Sequence, residues 1–276
     1  MGTHLTGKKL LVEQLVGMAI RAVAIHTSRD ILARADTDAQ TLEWLADEFK
    51  SLRAEERAWA DLTIERVLLL DAAQRVYATG VLGNSVMSVK AAARFGVRWQ
   101  VIGKDDTLAA YDRMCKHFDI VKLIEPYDLK TEGRSIQAEA EQIAGENRFL
   151  RAYMPALEKE AELSWREQTD TGALLTVIAL LRYKRQRSAY PQTRQELVEA
   201  GYLKAVPQDP FGPGPLSYVT KDNDFVLYSC GPDMDDDGGV RGERGWSGED
   251  GDAVFWPVET PEKPQTGPTG SNTGNP

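Results

Sequence analysis

The chain has 276 residues, of which 42% are hydrophobic and 27% are charged, and its formal net charge is −9. These proportions are ordinary for a soluble globular protein, and the length allows one large domain or two smaller ones with separate cores. An acidic chain lacks the excess of lysine and arginine that binding to a phosphate backbone requires, which argues against a nucleic-acid-binding role.

No apolar run reaches the roughly 18 residues that a membrane-spanning helix needs. The best candidate, residues 10–25, carries Glu13 and Arg21. The start of the chain also has no short apolar core followed by a small-residue cleavage site, so we expect no secretory signal. The two cysteines, Cys115 and Cys230, are far apart and in no metal-binding or redox spacing.

The first half of the chain has the apolar periodicity of amphipathic helices. This spacing predicts one helix over residues 5–35, a second that starts with a capping box at Thr37 and Gln40, and a third over residues 54–77. Further helices are expected over residues 106–117 and 135–142. Glycines interrupt residues 80–103, where a loop or a substrate-sized crevice could lie. We therefore predict an α-helical region over residues 1–153.

A long helix is predicted to follow, with Pro155 in its first turn and its end near Arg187. Gly172 weakens the middle of this stretch, so two shorter helices are the alternative. The apolar face of its second half has the spacing i, i+3, i+4, i+7 and consists of Leu174, Val177, Ile178 and Leu181.

Two short alternating segments, Leu216–Val219 and Phe225–Tyr228, flank a polar turn and predict a β-hairpin. Beyond Pro257 the chain consists mainly of proline, glycine, threonine, serine and asparagine, so residues 257–276 are expected to be a disordered tail. The predicted fold class is α+β. An N-terminal α-helical region would precede residues 154–256, in which a long helix packs on a small antiparallel β-sheet with an acidic metal loop.

The strongest chemical signal in the sequence is the run Asp233-x-Asp235-x-Asp237-Gly238. Residues 233–252 contain eight acidic residues against two arginines. Alternating acids before a turn-forming glycine place carboxylates on one side of a loop, and such oxygen ligands suit a hard cation, Ca²⁺. Calcium takes six to eight oxygen ligands, so others must come from elsewhere. The alternative is a solvated acidic loop that binds nothing.

Several spaced elements of residues 173–256 resemble the C-terminal domain of the major pseudopilin of type II secretion systems. The resemblance rests on an apolar helix ending in Leu180-Leu181-Arg182-Tyr183, followed by Tyr190-Pro191, Gly201-Tyr202-Leu203, Asp209-Pro210-Phe211-Gly212 and Tyr228-Ser229-Cys230-Gly231. In that family a long helix packs on a small antiparallel sheet, and a following loop binds calcium. The resemblance implies that Asp252 and backbone carbonyls near residues 227–230 complete a calcium site with Asp233, Asp235 and Asp237.

The N-terminal helices followed by a pseudopilin-like end resemble uncharacterised envelope proteins of planctomycete type. In those proteins a membrane anchor lies further upstream, which implies an anchor before Met1 and a periplasmic or cell-envelope location. We therefore expect a non-catalytic structural or interaction protein of the envelope, with a link to secretion. The residues do not identify its protein partner. Two alternatives are an enzyme with a site between the helical region and segment 80–103, and a cytoplasmic helical scaffold.

Overall fold

The computed structural model describes residues 10–55, 64–68, 70–71, 104–221, 223–242, 246 and 250–258. Its helices are α1 (Leu11–Arg34), α2 (Ala39–Glu55), α3 (Lys104–Val121), α4 (Pro126–Thr131), α5 (Ile136–Ala144), α6 (Arg148–Arg187) and α7 (Gln195–Glu199). Strands β1 (Ser217–Lys221), β2 (Asp224–Ser229) and β3 (Ala253–Trp256) form an antiparallel sheet in the order β1-β2-β3. The predicted α+β fold class, with a long helix against a small antiparallel sheet, is confirmed.

Two sequence predictions fall mostly outside the described residues. Of the helix expected over residues 54–77, residues 54–55 belong to the end of α2, and residues 64–68 and 70–71 are helical. Segment 80–103, where a crevice was expected, lies outside the described part of the chain, as do residues 259–276 of the expected tail.

The start of α2 is set by Asp38 and not by the predicted capping box at Thr37. The Asp38 carboxylate accepts a hydrogen bond from the backbone N–H of Thr41 at 2.8 Å and another from its hydroxyl at 2.9 Å. These contacts satisfy one of the amide groups that a helix start leaves without an intrahelical partner. The same hydrogen bonds lower the pKa of Asp38. The capping position was therefore wrong by one residue.

Helix α6 begins at Arg148, so the prediction that Pro155 occupies the first turn is wrong. The capping residue is Asn147, whose side-chain oxygen accepts from the backbone N–H of Leu150 at 3.2 Å. Its amide group also donates to the Thr107 hydroxyl at 2.8 Å, which ties the start of α6 to α3. The helix runs for 40 residues, about 60 Å at 1.5 Å per residue.

Gly172 does not divide α6 into two helices. A Cβ atom at this position would lie 3.3 Å from Cβ of Pro207, closer than most side-chain contacts. The glycine therefore permits the segment before the β-hairpin to pack directly on the helix, and that packing compensates for its weak helix propensity.

The main core combines the helical region with the sheet. One apolar cluster contains residues of α1, α2, the second half of α6, α7 and the sheet. It includes Ile25, Leu42, Phe49, Leu174, Ile178, Leu180, Leu197, Leu216, Phe225, Leu227 and Phe255. A second cluster joins α3 and α5 to the first half of α6 and includes Tyr111, Met114, Phe118, Ala144, Leu150 and Leu157. The predicted boundary between residues 153 and 154 falls within α6, the helix that both clusters share.

The face of α1 that packs on α6 alternates apolar and polar side chains. Gln14, Arg21 and Arg29 are buried there, between Leu11, Met18, Ile25 and Leu32. Arg21 makes a bidentate ion pair with Glu167 of α6, in which Nη2 donates to Oε2 at 2.6 Å and Nε donates to Oε1. Burial raises the pKa of Glu167, and the guanidinium of Arg21 opposes that rise.

Replacing Glu167 by glutamine should lower the free energy of unfolding by about 3–5 kcal/mol, because the buried Arg21 guanidinium loses its counter-charge. Urea denaturation followed by circular dichroism measures this change. The matched control is Glu43→Gln, which removes an exposed ion pair with Arg182 and should cost about 1 kcal/mol or less. Equal effects of the two substitutions would show that the Arg21–Glu167 pair does not stabilise the docking of α1 on α6.

Candidate metal centre

The acidic loop, residues 230–252, connects β2 to β3. The point where it leaves β2 is held by the buried carboxylate of Asp209, which lies outside the loop. Asp209 is 3% exposed, and its Oδ1 accepts from the Ser229 hydroxyl at 2.7 Å and from the Phe211 N–H at 3.0 Å. Its Oδ2 accepts from the Cys230 N–H at 2.9 Å. Three donors thus compensate for the cost of burying this group and hold the end of β2, from which the loop departs.

Two glycines allow the two limbs of the loop to cross. A Cβ atom at Gly251 would lie 2.5 Å from the Cα and N atoms of Gly242, and Gly251 has a φ of +91°, which side-chain-bearing residues rarely adopt. Next to this crossing, the Asp252 N–H donates to the Val240 carbonyl at 2.8 Å. The close contact brings Asp250, on the returning limb, back to the acidic run on the outgoing limb.

Three carboxylates converge at the crossing. Asp233, Asp237 and Asp250 each place one carboxylate oxygen so that all three oxygens lie within 4.8 Å of one another. Asp233 and Asp237 are half-buried, and Asp250 is exposed. Burial, together with the charges of Asp250 and Asp233, raises the pKa of Asp237 above its ordinary value. Such a group of like charges opposes the ordering of the loop unless a cation or a proton neutralises it.

The hydrogen bonding of the cluster suits a cation. Within the described part of the chain, Oδ2 of Asp233 and Oδ2 of Asp237 are buried and have no hydrogen-bond partner. Buried polar atoms in folded proteins usually have a partner, so these oxygens are available as ligands. Carboxylate oxygens are the ligands that hard cations prefer, so these three carboxylates could hold a metal ion.

The other two predicted ligands lie elsewhere in the loop. Asp235 is exposed, and its Oδ1 accepts from the N–H of Asp236 at 3.0 Å. Asp252 is fully buried beneath the loop, where its Oδ2 accepts from the Gly239 N–H at 2.7 Å. Burial and the charges of Asp236 and Asp237 raise the pKa of Asp252 to about 6. Of the predicted set, the structure brings Asp233 and Asp237 together and leaves Asp235 and Asp252 outside the converging group.

Sequence reasoning missed Asp250. It lies 13 positions beyond Asp237, so no local spacing connects the two residues. The available signal in the sequence was the pair Asp250-Gly251, because an acid followed by a glycine is typical of a sharp turn. In the structure Gly251 does adopt a positive φ.

The helical region reaches the acidic loop through α4. The Lys130 ammonium donates to the backbone carbonyl of Asp233 at 2.5 Å, and the Tyr127 N–H donates to the carbonyl of Pro210 at 3.0 Å. The candidate site is therefore supported by the sheet on one side and by α4 on the other.

Comparison of the chain with protein-family models, with curated proteins and with solved structures finds no match. The pseudopilin resemblance therefore stays a hypothesis that rests on the residues quoted above. None of the helices in the described ranges combines the length and the hydropathy of a membrane-spanning segment.

Asp209→Asn should lower the free energy of unfolding by about 1–3 kcal/mol, because an amide cannot accept from all three surrounding donors. Chemical denaturation of the variant measures the loss. Asp47→Asn is the control, since Asp47 is an exposed residue of α2 with a surface ion pair, and it should change stability by about 0.5 kcal/mol or less. A variant at position 209 that is as stable as the parent would contradict the anchoring role.

Proposed function

We propose that this is a non-catalytic structural or interaction protein of the cell envelope, whose sheet module is stabilised by a bound calcium ion. The observation that supports it is the convergence of Asp233, Asp237 and Asp250 within 4.8 Å, with buried oxygens of two of them lacking a hydrogen-bond partner among the described residues. The three carboxylates would hold the ion.

A cation at this position has a structural role. It would join the outgoing limb of the loop, at Asp233 and Asp237, to the returning limb at Asp250, and neutralise the repulsion among them. Cross-linking of two loop limbs by a hard cation stabilises the folded state by mass action, because the unfolded chain does not hold these ligands together.

The cell-envelope location follows from the resemblance and suits the chemistry of the site. A loop with three carboxylates, one of them exposed, is typical of the weaker calcium sites of extracellular modules, which fill at about 10⁻⁴–10⁻³ M calcium. Compartments outside the cytoplasm supply such concentrations. The pseudopilin resemblance further suggests a role in secretion or envelope assembly.

Calcium should raise the melting temperature of the full chain relative to chelator. Binding to the folded state adds RT ln(1 + [L]/Kd), about 2.7 kcal/mol at a hundredfold excess over Kd. Thermal denaturation in EDTA and then in millimolar CaCl₂ measures the gain. Asp233→Asn and Asp250→Asn should each lose most of it, because each removes a converging carboxylate.

Asp235→Asn is the matched control, because this acid is exposed and lies outside the converging group. It should retain the calcium effect of the parent. Asp236 is less suitable as a control, since its carboxylate accepts from the Tyr228 hydroxyl at 3.0 Å. Identical melting of the parent in EDTA and in calcium would eliminate the metal site and leave a solvated acidic loop.

A further inference from the structure

Strand β3 ends before it covers the whole edge of β2. Strand β1 pairs with β2 as far as Asp224, whereas the pairing of β3 with β2 ends where Trp256 lies opposite Leu227. Pro257 then follows Trp256. In the described part of the chain, residues 224–226 of β2 therefore have a strand on one side only. Such an edge is a template for pairing with another extended segment.

An open groove of about 820 Å³ lies at this edge. Its aromatic surface is formed by Tyr190, Phe225 and Trp256, with ring centroids 4.9 Å apart for Tyr190 and Phe225 and 5.3 Å apart for Phe225 and Trp256. The volume is in the range of sites that bind ligands of several hundred daltons. Phe225 and Trp256 are only 1% and 7% exposed, so contact of a ligand with the rings falls mainly on the half-buried Tyr190.

The charged side chains of the groove are mainly cationic, although the whole chain carries a net charge of −9. They are Lys184, Lys221 and Arg241. The Lys184 ammonium lies 4.4 Å from the Tyr190 ring centroid and donates to a backbone carbonyl, and Lys221 is exposed. Asp224, the acid among the lining residues, accepts from the Trp256 indole N–H at 2.8 Å. The groove therefore favours an anionic ligand.

We propose that this groove binds an acidic peptide segment of a partner protein, in extended conformation, as an additional strand beside residues 224–226. In an extended peptide, successive side chains point to opposite faces. One set can contact the Tyr190 ring while the carboxylates of the other set reach the lysines and Arg241. Backbone pairing at the strand edge supplies affinity and the side chains supply selectivity. This proposal rests on the proposed interaction role of the protein and identifies the groove as the surface that binds the partner.

The acidic loop forms one wall of the groove. Gly239 and Arg241 lie between Asp237 and Asp250, and a Cβ atom at Gly239 would lie 3.1 Å from Cγ1 of Val226. The Arg241 guanidinium donates to the Pro257 carbonyl at 2.9 Å, which places this limb beside the end of β3. An ion at the acidic cluster would hold this wall in place, so calcium should raise the affinity for the peptide.

The test uses the full chain and a fluorescein-labelled pentapeptide of alternating glutamate and valine, with a lysine–valine pentapeptide as the charge-reversed counterpart. Fluorescence anisotropy should show saturable binding of the glutamate peptide, with a dissociation constant at least about tenfold lower than that of the lysine peptide. Raising the salt concentration from about 20 mM to about 300 mM should weaken binding, because screening reduces the attraction. Similar affinities for the two peptides would overturn the proposal.

The groove residues are tested by Lys221→Glu and Lys184→Gln. Each should raise the dissociation constant of the glutamate peptide by about tenfold, with an unchanged melting temperature for the exposed Lys221→Glu. Lys204→Glu is the matched control, because Lys204 is exposed and outside the groove, and it should bind like the parent. Equal affinity of Lys221→Glu and the parent would place binding elsewhere and overturn the assignment.

Two further measurements test the effect of calcium on peptide binding and the possibility that the chain's own tail occupies the groove. Binding is measured in EDTA and in CaCl₂, and charge-selective binding in both supports the groove even if calcium fails to stabilise the protein. A variant that ends at Val258 removes the chain's own Glu259 and Glu262. Binding by the full chain supports a partner peptide, whereas binding that occurs only after this truncation would assign the groove to the chain's own tail.

Discussion

The architecture depends on a stretch of α6 that is buried on every side. Residues 173–180 are all buried, and most of them have no measurable exposure. A helix that is apolar around its whole circumference is stable in water only when other elements enclose it. Here α2 and α1 enclose one side and the sheet encloses the other. Since burial of each large apolar side chain contributes about 1.5–3 kcal/mol, the elements around α6 stabilise each other through it.

This constraint explains the position of the candidate site. The sheet packs on α6 with Phe225 and Leu227, so the opposite face of β2 points away from the helix. The loop that follows β2 returns to α6 at Trp246, whose indole N–H donates to Asp170 at 3.2 Å. Asp209 then fixes the point where the loop leaves the sheet. The loop contacts the core through Trp246, which packs on Phe211 and Phe255. The rest of its shape comes from close backbone contact at Gly242 and Gly251 and from turns closed by its own carboxylates. A segment ordered in this way carries concentrated negative charge, which a bound cation would offset.

Sequence reasoning succeeded where the signal was local. The apolar face around Leu174 and Ile178 and the hairpin follow from spacings of a few residues. The alternating acids correctly indicated that Asp233 and Asp237 lie close together, but Asp235 of the same pattern lies outside the group. It failed where distant residues decide the outcome. Asn147 starts α6 seven residues before Pro155 partly because Thr107, 40 positions away, holds its side chain. Asp250 reaches the acidic cluster because two glycines 9 positions apart touch. Neither contact leaves a periodic pattern.

The acidic loop contacts α4 at one end and the groove beside β2 at the other, so a change in the loop can affect both. On one side Lys130 of α4 donates to the Asp233 carbonyl, and on the other side Gly239 and Arg241 form a wall of the groove beside β2. The segment between these contacts contains the two half-buried acids of the cluster, Asp233 and Asp237. A single cation that neutralised them would therefore lie between the two surfaces and could act on both. By thermodynamic linkage, a ligand that prefers the ordered wall must in turn increase the affinity of the acidic cluster for its cation.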